Sequence, residues 1–112
     1  MKSLLEKLNL SETNAGACTG MNGWLHDPQG SQLVSYNPTT GEAIGSVIQA
    51  SAATYDRVVE AAQRAFTTWR MLPAPKRGLL VRDLGTALRD YSDPLGEMVT
   101  LEMGKIRAEG IG

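Results

Sequence analysis

Cysteine is nearly absent from this chain. Cys18 stands alone, which rules out an internal disulfide framework. Histidine is as scarce, and His26 with only Asp27 beside it lacks the further Cys, His or carboxylate partners that a metal site needs. Aromatic residues make up 5% of the chain, and 11 Lys and Arg against 12 Asp and Glu leave a formal net charge of −1. A chain so balanced carries no field that would draw nucleic acid or an anionic membrane, and it has few rings to interleave with bases. No apolar run approaches the ~18 residues of a membrane span. No apolar signal-peptide core lies near Met1. These absences lead to the expectation of a cytoplasmic protein with neither nucleic-acid nor membrane partners. Internal repeats and low-complexity tracts are missing as well.

What is present suits a single small domain of 112 residues, 42% hydrophobic and 21% charged, as in ordinary soluble proteins. Lys2 to Leu10 reads as a short amphipathic helix with Leu4, Leu5 and Leu8 on one side. Ser11 to Gly30 is rich in Gly, Asn, Ser and Thr, with Asp27-Pro28 as a turn signal, and is expected to lie extended over a surface. Within it Gly23-Trp24-Leu25 has the makings of a short strand. Gln32 to Tyr36 and Glu42 to Gln49 read as a hairpin spanning 32–49. Asn37 can bond its own backbone, Pro38 fixes φ, and Gly41 tolerates the left-handed conformation that closes a bulged turn. Alternation then places Ile44 and Ile48 on one face of the second strand, Ala43 and Val47 on the other.

Three helices follow, at about 52–71, 75–91 and 94–103. Ser51 is placed to cap the first, whose stripe is Tyr55, Val58, Val59, Ala62, Phe66 and Trp69. Pro73 ends it by disfavouring helical geometry in Leu72. Pro75 opens the second, where Leu80, Leu84, Ala87, Leu88 and Tyr91 follow the rhythm of one buried face. Gly78 and Gly85 lie seven residues apart in that helix; because glycine costs about 1 kcal/mol there, they point to close approach by another element, for which the 112 residues offer no obvious candidate. Asp93 is expected to cap the third helix with Pro94 at its first position, and Gly104-Lys105 to stop it. Ile106 to Gly112 reads as the start of a fourth helix without a stop signal, so a truncated chain is expected. The division is an extension over 1–31 and an incomplete domain over 32–112.

Two strings carry a resemblance. PAPKRGLLVRDLGTALRDYSDPLGEMVTLEMGKIRAEG, from Pro73 to Gly110, resembles the amino-terminal helices of the aldehyde dehydrogenase superfamily. Within it PAPKRG, VRDLGTALR and LEMGKIRAEG are most similar to the antiquitin, or α-aminoadipic semialdehyde dehydrogenase, branch. YNPTTGEAIGSV, from Tyr36 to Val47, is similar to the opening hairpin of the same superfamily. The resemblance implies a parent of α/β fold, with a Rossmann-like cofactor domain, a catalytic domain and an oligomerisation arm; this segment would be mostly α with one amino-terminal β-hairpin. It implies NAD(P)-dependent oxidation of an aldehyde, α-aminoadipic semialdehyde of lysine breakdown, to a carboxylic acid. In that chemistry a cysteine thiolate forms a thiohemiacetal, hydride leaves to the nicotinamide, and a glutamate-activated water hydrolyses the thioester. It also implies a homo-tetramer or other homo-oligomer.

The family's nucleophilic cysteine, general-base glutamate, oxyanion-hole asparagine and cofactor loops have no matching positions here. No catalytic, cofactor-binding or metal-ligating residue is therefore assigned, and the chain alone is expected to be inactive. Cys18 sits in GACTG, read as a loop, and is expected to be an ordinary thiol; His26 is expected to be a surface residue. Glu97 and Glu102 do not match the general base, and Glu102 is expected to bond nearby backbone or an arginine. Lys105 follows Gly104, but a phosphate loop needs an earlier glycine, a following Ser or Thr, and a preceding strand. Arg64, Arg70, Lys76, Arg77 and Arg82 read as a solvated face or a subunit-contact patch. The competing reading is a complete helical module that binds another protein through the faces around Trp69 and Tyr91. An open reading frame that continues past Gly112 would remove it.

Overall fold

Five residues of turn chemistry set the register of the central hairpin. Asn37 accepts a hydrogen bond at Oδ1 from the Thr39 amide, 2.9 Å, and its own amide donates to the Glu42 carbonyl, 2.9 Å. The Gly41 amide donates back to the Asn37 carbonyl at 2.8 Å, with Gly41 at φ +77° as its place in the turn requires. The structure, a computed structural model, describes residues 2–112. The elements in chain order are α1 (Lys2–Lys7), β1 (Thr13–Ala15), β2 (Ala17–Cys18), β3 (Trp24–Leu25), β4 (Gln32–Tyr36) and β5 (Ala43–Ile48). Then come α2 (Ala52–Trp69), α3 (Ala74–Asp90), α4 (Ser92–Met103) and α5 (Arg107–Ile111). They fall into two compact units, one of residues up to 14, 33–47 and 86–112, the other of 15–32 and 48–85.

In the first unit β4 and β5 form the expected hairpin, and β1 joins the far edge of β5 to give the order β1-β5-β4. The Ser46 amide donates to the Glu12 carbonyl at 2.8 Å, and Asn14 Nδ2 donates to the Ser46 carbonyl at 3.2 Å. Ile44 is buried and Ile48, two alternations on, is half-buried, while Ala43 and Val47 face outward. The third strand is a departure from the expectation of an extended surface segment over 11–30. Three residues are too few to display a period of two, so its pairing with β5 is not visible locally.

Leu4 and Leu5 are buried and α1 packs on α4. The helix stops at Lys7 rather than Leu10, because Asn9 turns to φ +56° and the Leu10 amide bonds back to the Leu5 carbonyl. Helix α4 also begins earlier than expected. Its cap position is Tyr91, without a side-chain hydrogen bond, and Asp93 lies inside the first turn. The reason is continuity: the Tyr91 amide bonds the Ala87 carbonyl and the Leu95 amide bonds the Tyr91 carbonyl. The backbone leaves α3 and re-enters α4 through one residue, which leaves no gap for a capping side chain. Asp93 still complements the positive end of the helix dipole.

Gly104, left-handed at φ +67°, ends α4 by donating to the Thr100 carbonyl, as expected. Helix α5 then packs on α4 at a glycine pair. A Cβ on Gly96 would sit 2.6 Å from Ile111 Cγ1, and one on Gly110 would meet the Gly96 carbonyl oxygen. Within this chain's helices, close approach belongs to these two glycines. Around Gly78 and Gly85 an added Cβ would meet nothing within 4 Å.

In the second unit β2 and β3 pair antiparallel, Ala17 opposite Leu25 and Cys18 opposite Trp24. The chain is thus mostly helical, with a three-stranded sheet and a short two-stranded ribbon in place of a single hairpin. Ser51 caps α2 as expected, its Oγ accepting from the Thr54 amide at 3.4 Å. The helix ends at Trp69, two residues short of the expected 71, as the Met71 and Leu72 amides tighten onto Thr68 and Trp69 before Pro73. Its inward side carries Thr54, Val58 and Ala61, which are buried or half-buried and follow the i, i+4, i+7 spacing. Apart from Val58, the expected stripe is turned outward: Tyr55, Val59, Phe66 and Trp69 are exposed. Helix α3 spans 74–90 and has no buried residue, so Leu80, Leu84 and Leu88, with Tyr91 just beyond, form no buried face within this chain.

Candidate functional site

The start of α2 presents backbone N–H groups without helical partners and the positive end of the helix dipole. Asp27 fills that place. Its Oδ2 accepts from the Ser51 amide at 2.8 Å and from Thr54 Oγ1 at 2.6 Å, while Oδ1 accepts from the Gln29 amide at 2.9 Å. Asp27 as a whole is 9% exposed. The Ser51 side chain first, then the Thr54 hydroxyl and the Ser51 and Gln29 amides, hold its pKa far below the ordinary carboxylate range, against the opposing pull of desolvation. Such a group has no proton to give and its acceptors are engaged, so it acts as a clasp between the segment after β3 and the helix. The sequence showed Asp27 only as a turn former. Its partners Ser51 and Thr54 lie 24 and 27 residues away, beyond any local spacing.

The candidate chemical residues are dispersed over other elements. Cys18 is on strand β2 rather than in a loop; it is half-buried, with its Sγ 3.3 Å from the donating Gly20 amide and 3.9 Å from the Met21 carbonyl oxygen. His26 is exposed between β3 and Asp27. Glu97 is half-buried in α4. Glu102 Oε1 accepts from Ser35 Oγ at 2.8 Å, so its partner is a hydroxyl on β4 rather than backbone or an arginine. Lys105 is exposed between α4 and α5. Among the described residues no group of three His, Cys, Asp or Glu could hold a metal ion, and no helix is long and apolar enough to cross a membrane.

Three of the basic residues have local occupations. Arg77 Nη1 donates to the Leu72 carbonyl at 2.9 Å across the α2–α3 turn. The Arg70 guanidinium lies 5.8 Å from the centre of the Phe66 ring. Arg82 pairs with Asp83 at 3.2 Å, both exposed, an arrangement that adds little stability. Arg64 is exposed and, with Thr19, Arg57, Glu60 and Ala61, lines an open polar recess on α2.

The turn from β5 into α2 does not fit a dinucleotide. The pyrophosphate would need a glycine-rich turn leading from a strand into a helix N-terminus. The turn from β5 into α2 is Gln49-Ala50-Ser51, without glycine, and its helix end is already taken by the Asp27 carboxylate. The other notable surface is apolar. Ala62, Ala65, Phe66, Thr68, Trp69 and Leu72 line a hollow of about 590 Å³, and Leu79, Leu80, Val81 and Leu84 of α3 are also exposed.

Residues 24–112 match the Aldehyde dehydrogenase family. The chain belongs to that family. Among its relatives, the pea (Pisum sativum) protein named Aldehyde dehydrogenase family 7 member A1 is 47% identical over 109 residues, covering 96% of this chain and 21% of its own length. The bovine (Bos taurus) Alpha-aminoadipic semialdehyde dehydrogenase is 44% identical over 108 residues, covering 96% of this chain and 19% of its own. A Caenorhabditis elegans protein named Putative aldehyde dehydrogenase family 7 member A1 homolog is 38% identical over 108 residues, 96% of this chain and 20% of its own length. The chain therefore spans about a fifth of the aldehyde dehydrogenases it matches. The resemblance carried by 36–47 and 73–110, including its branch, agrees with these relatives.

Proposed function

We propose that these residues are the amino-terminal part of an NAD(P)-dependent aldehyde dehydrogenase that oxidises α-aminoadipic semialdehyde to the carboxylic acid in lysine breakdown. The observation that carries this reading is the 44% identity to the bovine α-aminoadipic semialdehyde dehydrogenase over 96% of the chain. In this reading 1–31 is an extension, although the family match already begins at residue 24, and 32–112 is the first part of the aldehyde dehydrogenase domain. The remainder of an α/β parent supplies the Rossmann-like cofactor domain and the cysteine that forms the thiohemiacetal. The described residues contribute scaffold, with no catalytic, cofactor-binding or metal-binding side chain. Two features support that division: the α2 N-terminus is closed by Asp27, and the outward apolar faces of α2 and α3 suit cover by further protein. The parent acts in the cytoplasm as a homo-oligomer, with a small aldehyde and NAD as its partners.

The test is a substrate comparison on the full-length parent. Reduction of NAD and NADP is followed with α-aminoadipic semialdehyde, a short aliphatic aldehyde and an aromatic aldehyde. A kcat/KM for the semialdehyde at least about tenfold above the others, equivalent to about 1.4 kcal/mol of transition-state discrimination, is expected. Equal values would remove the substrate assignment while leaving the family intact. Absence of nicotinamide-dependent turnover with every aldehyde would remove the activity itself.

A further inference from the structure

We draw no further inference here: the strongest candidate, the apolar hollow lined by Ala62, Ala65, Phe66, Trp69 and Leu72 along helix α2, is an unpartnered face and nothing in the structure shows what covers it.

Discussion

Asp27 joins two stretches of chain through a single side chain. Because its donors favour the ionised form, its pKa is lower folded than unfolded, and the stability it adds is present above the ordinary carboxylate value. That contribution is lost as pH falls from the unfolded pKa through the lower folded one. In the proposed full-length parent, Asp27→Asn should therefore lower the urea midpoint at neutral pH. The gap from the natural protein should narrow in acid, measured from about pH 7 to about pH 3. A constant gap would mean that shape rather than charge matters at this position. Cys18 makes the complementary case. Its sulfur is engaged with Gly20 and Met21 in a tight local turn, so Cys18→Ser in the parent should keep turnover of the semialdehyde within about twofold. A loss of several orders of magnitude, as for a covalent nucleophile, would overturn that assignment.

At the scale of elements, what was legible in the sequence was what local chemistry decides. The Asn37 to Gly41 turn, the Ser51 cap and the Gly104 stop each depend on residues within five positions, and each stands where the sequence placed it. The α4 cap was misplaced because α3 runs into it through Tyr91, a continuity that no residue preference announces. Strand β1 and the Asp27 clasp were missed because their partners are distant in sequence. Glycine divides the same way. At the α4–α5 seam, Gly96→Ala should cost about 1–3 kcal/mol through overpacking against Ile111, read as a lower melting temperature of the parent. On α3, Gly85 faces open space in this chain. Gly85→Ala should therefore raise the helicity of the 112-residue chain, removing a penalty of about 1 kcal/mol. In the parent, Gly85→Leu should instead destabilise by about 1–3 kcal/mol once further protein lies against the helix. If circular dichroism and melting show the same gain in both, α3 is solvated in the parent too.

For the whole molecule, the distribution of apolar side chains decides behaviour. Among the described residues Leu4, Leu5 and Ile44 are the buried hydrophobic ones, whereas Tyr55, Phe66, Trp69, Leu80, Leu84 and Leu88 are all exposed. Periodicity correctly identified these as helical, yet it could not say what they pack against, since a stripe records that a partner exists and not where it lies. Burial of large side chains is the main offset to the conformational entropy of folding. A chain with so few buried should melt over a broad range, remain partly helical and associate at high concentration through the Phe66 and Trp69 face. It should also neither bind NAD nor oxidise α-aminoadipic semialdehyde, since the family's nucleophilic cysteine and cofactor loops have no matching positions among these residues. Calorimetry with sedimentation addresses the first expectation and NAD titration the second, both on the purified 112-residue chain. A sharp two-state melt of a monomer would show that the exposed stripes are tolerable surface, which favours a self-sufficient module. Micromolar NAD binding would place a cofactor site inside these residues and overturn their reading as scaffold alone.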